Sequence, residues 1–132
     1  MKKDVADWYR QCDECAKGKG PPLGPHGHLQ KIQVGAPIDL VTMDLLSGLP
    51  TATDGSKYVL VVVDAFTKWV EAYALPDLEA STCMTAVCNG FFSRFGLPRQ
   101  LHSNQGRNFE SALVRELCTL TGIHKTRTTP VA

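Results

Sequence analysis

The chain has 132 residues, 43% of them hydrophobic, which suits one modest domain with an ordinary core; no run approaches the roughly 18 apolar residues that a membrane span needs. Its 14 Lys and Arg against 13 Asp and Glu leave a formal charge of +1, too small to announce a nucleic-acid binder in bulk, so any such role must rest on a local patch. The opening "MKKDVADWYRQC" lacks a signal peptide's apolar stretch, and the five cysteines are odd in number with Cys83, Cys88 and Cys118 in apolar helical patterns, so a soluble intracellular chain with reduced thiols is expected.

In chain order, "KKDVADWYRQCDEC" predicts a short helix with Val5, Trp8 and Tyr9 on one side, too short to bury them alone. "AKGKGPPLGPHGH" then gathers four Gly and three Pro and reads as a linker. This divides the chain into residues 1–16, a linker over 17–36 and a main domain over 37–132.

"PIDLVTMDLLSGLP" (37–50) is a near-continuous apolar run of the kind a strand buried on both faces shows. "KYVLVVVD" (57–64) and "KWVEAYAL" (68–75) follow as a predicted hairpin. "EASTCMTAVCNGFFSRFG" (79–96) sets Cys83, Met84, Val87, Cys88, Phe91, Phe92 and Phe95 at helical spacing, with Gly96 as the stop. "RQLHS" predicts a short strand, "NFESALVRELCTLTG" a helix capped by Asn108 and stopped by Gly122, and "IHKTRTT" a last strand. The expected fold is a mixed α/β sheet: three antiparallel strands, then helix, strand, helix, strand.

Several polar residues stand out against this frame. Asp44 sits in the apolar run, where a buried lone carboxylate would cost several kcal/mol unless a metal ion or another partner met it; alternatively it reaches solvent near the strand's end. Asp64 ends a strand beside "AFTK" and reads as a turn cap, Glu71 as a cross-strand partner of the hairpin, and His102 as a packing or hydrogen-bonding residue. In "HSNQGRNFES", Gln105, Arg107 and Asn108 supply donors around Gly106, which would let backbone approach a phosphate just before a helix start. "CDEC" places Cys12 and Cys15 at the spacing of half a zinc site; His26 and His28 could complete it in principle, but they belong to the linker.

The combination "VTMDLLSGLPTATDGSKYVLVVVDAFTKWVEAYALP", "FGLPRQLHSNQGRNFES" and "TGIHKTRTTP" closely resembles the integrases of gypsy-type LTR retrotransposons and, more distantly, of retroviruses, from about Asp4 to Pro130. The resemblance implies an RNase H-like fold in which three carboxylates hold two Mg²⁺ or Mn²⁺ ions and move phosphoryl groups on DNA. The first family aspartate corresponds to Asp44; the second, in a "HSDQG" motif, falls on Asn104; the third, a glutamate in a later helix, falls beyond Ala132. Val131 and Ala132 also depart from the Tyr-His-Pro that usually follows "TTP" in the family.

An asparagine brings no negative charge to a hard cation, so impaired catalysis is expected, with Asp44 and Asn104 as a weakened magnesium site. Glu110 and Glu116, expected on the following helix, read as surface charge in preference to substitute ligands. The family resemblance makes Cys12 and Cys15 the remnant of a zinc-binding N-terminal domain whose partner histidines lie upstream. DNA is the expected partner, in the nucleus, with a homo-oligomer possible and no membrane role. The competing readings are a binding module for DNA or protein without catalysis and a fragment with no independent role; a ribonuclease of the same fold is remoter.

Overall fold

The computed structural model describes residues 1–18, Gly24 and 31–128, in two units, Met1–Ile32 and Gln33–Ala132. In the first unit the predicted helix is divided: α1 (Lys2–Arg10) stops at Gln11, and α2 (Asp13–Gly18) follows. Asp4 in the first turn of α1 and Arg10 in its last complement the helix dipole. No residue of α1 is buried, and Trp8 is 74% exposed, as expected of a helix too short to make a core.

The second unit is a five-stranded sheet in the order β3-β2-β1-β4-β5. Its strands are β1 (Leu40–Leu46), β2 (Tyr58–Asp64), β3 (Val70–Leu75), β4 (Gln100–Ser103) and β5 (His124–Arg127). β2 runs antiparallel to β1 and β3, and β4 runs parallel to β1 and β5. The order follows from chain economy: short turns join the first three strands as neighbours, whereas β4 and β5 are each reached over a helix and so lie parallel.

Register decides which side chains enter the core. Directly opposed residues share a face, so Val41, Met43 and Leu45 on β1 align with Asp64, Val62 and Leu60 on β2, and Leu101 on β4 joins them opposite Val41. This face carries both helical segments. α3 (Ala80–Val87) passes through a π-helical turn (Cys88–Phe92) into α4 (Ser93–Phe95), and α5 (Ala112–Thr121) follows β4. Phe91, Phe109, Leu60, Leu101, Val62, Val87 and Val114 close the core at under 2% exposure. The opposite face, with Thr42, Asp44, Val61 and Val63, carries none of the second unit's described helices and is only partly buried. β1 is therefore covered on one face, where a strand covered on both was expected.

Two helix stops are as expected: Gly96 (φ 89°) and Gly122 (φ 72°) take the left-handed values that a Cβ disfavours. The cap of α5 is not. Ser111 accepts from Val114 N at 3.3 Å, and Asn108 lies in the preceding turn, because Gly106 O accepts from Phe109 N and Glu110 N and bends the chain before the helix begins. Glu110 consequently precedes α5, contrary to the expectation that placed it on the helix.

The glycine in the π-helical turn has a packing reason. Gly90 lies against the Tyr73 ring, which a Cβ there would overlap. Tyr73 donates to Glu71, which also accepts from Trp69 Nε1 at 3.1 Å and from Arg94. Glu71 thus ties β3 to α4 through its own strand neighbours and Arg94, where a cross-strand pairing had been expected. Replacing Gly90 by alanine is expected to cost about 2 kcal/mol through overpacking of Tyr73, measured as a lower urea midpoint at unchanged m.

Candidate functional site

The turn after β4 brings Asn104 beside β1. Asn104 Nδ2 donates to Asp44 Oδ1 at 3.1 Å, and Asn104 Oδ1 accepts from Gly106 N at 2.9 Å. Sixty residues apart in sequence, the two positions meet because β1 and β4 are parallel neighbours in register from Leu40 with Gln100 to Met43 with Ser103, one step before each. Asp44 is exposed, so solvent and hydrogen bonds meet the charge and no burial penalty arises; Leu45 N also donates to its Oδ1 at 2.9 Å.

The amide of Asn104 has only one orientation that suits both neighbours. Gly106 N–H needs an acceptor and the Asp44 carboxylate needs a donor, so the oxygen faces the first and the nitrogen the second. A Cβ at Gly106 would stand 2.9 Å from Asn104 Oδ1, so a side chain there would press on that amide. The Gly106 N–H is engaged inside the turn and does not face outward to a phosphate.

Other loop residues divide between anchoring and exposure. Gln105 Nε2 donates to Thr128 O at 2.7 Å, tying the turn to the end of β5, and Phe109 is fully buried. Asn108 is half-buried, with its carbonyl accepting from Ser111 Oγ at 3.2 Å. Arg107 is exposed and has no ion-pair partner among the described residues. His102 Nδ1 lies 2.9 Å from Thr126 Oγ1, a strand-to-strand hydrogen bond of the kind expected for it.

A cluster that the sequence reading missed fixes the loop from below. Lys125, whose side chain is 13% exposed, donates to Glu110 Oε1 and to Ser103 Oγ, both at 3.0 Å. Arg127 at 3.1 Å and Arg115 at 3.7 Å also face Glu110. The hydrogen bond from Lys125, aided by the surrounding positive charges and only partly opposed by burial, holds the Glu110 carboxyl below the usual range. Strand alternation in "IHKTRTT" could have flagged it, since Lys125 and Arg127 fall on the helix-covered face and need an acid there. Glu110 is committed to these cations and is no substitute ligand beside Asp44.

A divalent cation requires charged oxygen ligands in number. Here one carboxylate faces an N–H donor, and among the described residues no group of three His, Cys, Asp or Glu side chains is placed to hold a metal. The pair does not fit the ions that the resemblance implies. Of the cysteine pair, Cys12 is half-buried between α1 and α2, while the Cys15 side chain, His26 and His28 lie outside the described residues.

The sequence matches the integrase core domain family over residues 35–131. It is 34% identical over 90% of its length to the gypsy retrotransposon integrase-like protein 1 of Bos taurus and 33% identical over 91% to that of Homo sapiens. It is 31% identical over 98% of its length to the Pro-Pol polyprotein of simian foamy virus type 3. The chain spans 23% of the two mammalian relatives and 11% of the polyprotein.

Two solved structures share the fold. The simian T-cell lymphotropic virus intasome in complex with PP2A regulatory subunit B56 gamma aligns at TM-score 0.66 and 18% identity, over 98% of this chain and 45% of that one. The HTLV-2 integrase catalytic core domain in complex with magnesium aligns at 0.62 and 20%, over 70% and 60%. The fold is accordingly RNase H-like, and the chain belongs to the integrase core domain family, with gypsy retrotransposon integrase-like and retroviral proteins among its relatives.

Proposed function

We propose that this chain is a DNA-binding integrase core that does not carry out the family's two-metal phosphoryl transfer. The observation that carries the reading is the Asn104 amide donating to Asp44 at the positions where the family places two aspartates. With an amide at residue 104, no described residue opposite Asp44 supplies the charge that would hold a cation against a polyanionic backbone.

Binding would fall to the exposed Arg107 and to the side-chain amide of Asn108, with Gln105 holding the turn in place, as phosphate contacts that position the duplex without reading its sequence. Affinity for duplex DNA is then expected to be equal in Mg²⁺ and in chelator and to weaken steeply with salt. Arg107→Ala should lower affinity to a similar extent for unrelated duplexes and reduce the magnitude of the slope of log affinity against log salt by about 1. Titration of labelled duplexes at several salt concentrations reads both. Absence of binding by the intact chain would sink the DNA role, and Mg²⁺-dependent nicking by the unmodified chain would sink the loss of chemistry.

A protein-binding role is the second reading. The sheet face with Val61, Val63 and the 55% exposed Val70 favours it. It predicts no salt-dependent DNA affinity and no effect of Arg107→Ala.

A further inference from the structure

We infer that Asn104 does for Asp44 what a divalent cation would do for a pair of aspartates, so that the 103–110 loop is built without metal. The inference rests on the disagreement between this donor set and the family's ions, and therefore on the proposed loss of metal chemistry.

If residue 104 were an aspartate in the same rotamer, one oxygen would keep the contact with Gly106 N and the other would face Asp44 Oδ1 at about the 3.1 Å now spanned by the hydrogen bond. Two ionised carboxylate oxygens in contact repel unless a cation or a shared proton lies between them. The amide replaces that repulsion with an attraction at the same spacing. Turning the amide over would oppose oxygen to carboxylate and NH₂ to the Gly106 N–H, so the attractive orientation is fixed from both sides.

The rest of the loop is already anchored by groups that need no ion. Lys125 holds Ser103 Oγ, Gln105 holds Thr128 O, and Phe109 is fixed in the core. Asn104 supplies the remaining link, from the loop to β1. The loop's folded form is therefore present in chelator, and Mg²⁺ adds nothing to it.

The test is thermal unfolding of the intact chain and of Asn104→Asp, each in chelator and in millimolar Mg²⁺ or Mn²⁺. Any ion that binds only the folded form raises its stability in a saturable, concentration-dependent way. The unmodified chain is expected to show the same Tm in all three. Asn104→Asp is expected to unfold several degrees lower in chelator and to regain that loss as Mg²⁺ is added. Should Asn104→Asp not fold in chelator, the exchanged pair Asp44→Asn with Asn104→Asp restores one donor and one carboxylate, and its Tm should again be indifferent to metal.

A saturable rise in Tm of the unmodified chain with Mg²⁺, or equal Tm values for it and Asn104→Asp in chelator, overturns the inference. The DNA titration reports separately. If duplex binding is absent while the Tm pattern holds, the DNA role falls and this inference stands; a metal-stabilised chain that still binds DNA gives the reverse.

Discussion

Truncating Asp64 to alanine is expected to destabilise the second unit by about 3–5 kcal/mol, because several donors around one buried carboxylate lose their acceptor together. Asp64 is 1% exposed and accepts from Ile38 N at 3.1 Å, Phe66 N at 3.4 Å, Thr67 N at 3.2 Å and Thr67 Oγ1 at 2.6 Å. Without the carboxylate those donors lose their acceptor, at about 1–3 kcal/mol for each that stays dry. The loss also reaches the backbone. Ile38 and Lys68 sit at φ 65° and 66°, conformations that β-branched and long side chains rarely adopt, and both flank this carboxylate.

Asp64 thus holds the entry to β1 against the β2–β3 turn. Thr67→Ala removes one hydroxyl donor and should cost about 1 kcal/mol. Urea unfolding of the two variants separates the hub from its rim: comparable midpoints would show that the carboxylate does no more than the threonine.

The same carboxylate sets a pH dependence. Burial acts to raise the Asp64 carboxyl, but the bonds from Thr67, Ile38 and Phe66 outweigh it and hold the group below the usual range. Glu71 behaves likewise, burial being outweighed by Tyr73, Trp69 and Arg94, and Glu110 is also lowered. A carboxyl lowered in the folded state contributes stability that is complete above its unfolded value, about 3.9 for Asp and 4.3 for Glu. That stability is lost as pH falls through the folded values. Midpoints should therefore be level above about pH 5 and decline below about pH 4, less steeply in Asp64→Ala.

Much of this was legible in the sequence, and what was not has identifiable causes. Every predicted strand and helix of the second unit exists, because apolar periodicity reports burial and Gly96 and Gly122 punctuate it. The strand ends were misread. The run from Pro37 to Pro50 carries no mark showing that Ile38 turns to positive φ, and its apolar residues continue past the bend at Gly48, so β1 is shorter than its apolar stretch. Asn108 and Ser111 are equally good caps locally, and only the turn closed by Gly106 O selects the second.

At the site, the resemblance implied that Asp44 and Asn104 stand where the family has two aspartates, but their hydrogen bond is a tertiary fact that depends on β1 and β4 being adjacent. The Lys125 cluster was hidden for the same reason. Its members come from a turn, a helix and a strand, and none is unusual in its own segment.

That cluster gives the second large effect, and one in which stability and affinity move in opposite directions. Glu110→Ala leaves Lys125, whose side chain is 13% exposed, without its carboxylate, with Arg115 and Arg127 beside it, and is expected to cost about 3 kcal/mol. Lys125→Met should cost less, because the thioether keeps the buried stem while Glu110 retains two arginines. Removing Glu110 also takes one negative charge from among three cations next to the loop, so the folded variant should bind duplex DNA more tightly at low salt, with a steeper salt slope. Removing Lys125 should weaken binding and flatten the slope. A Glu110→Ala variant that is less stable and binds more weakly would mean that the acid positions the loop for DNA, whereas lower stability with tighter binding means that it pins the loop while screening the cations around it.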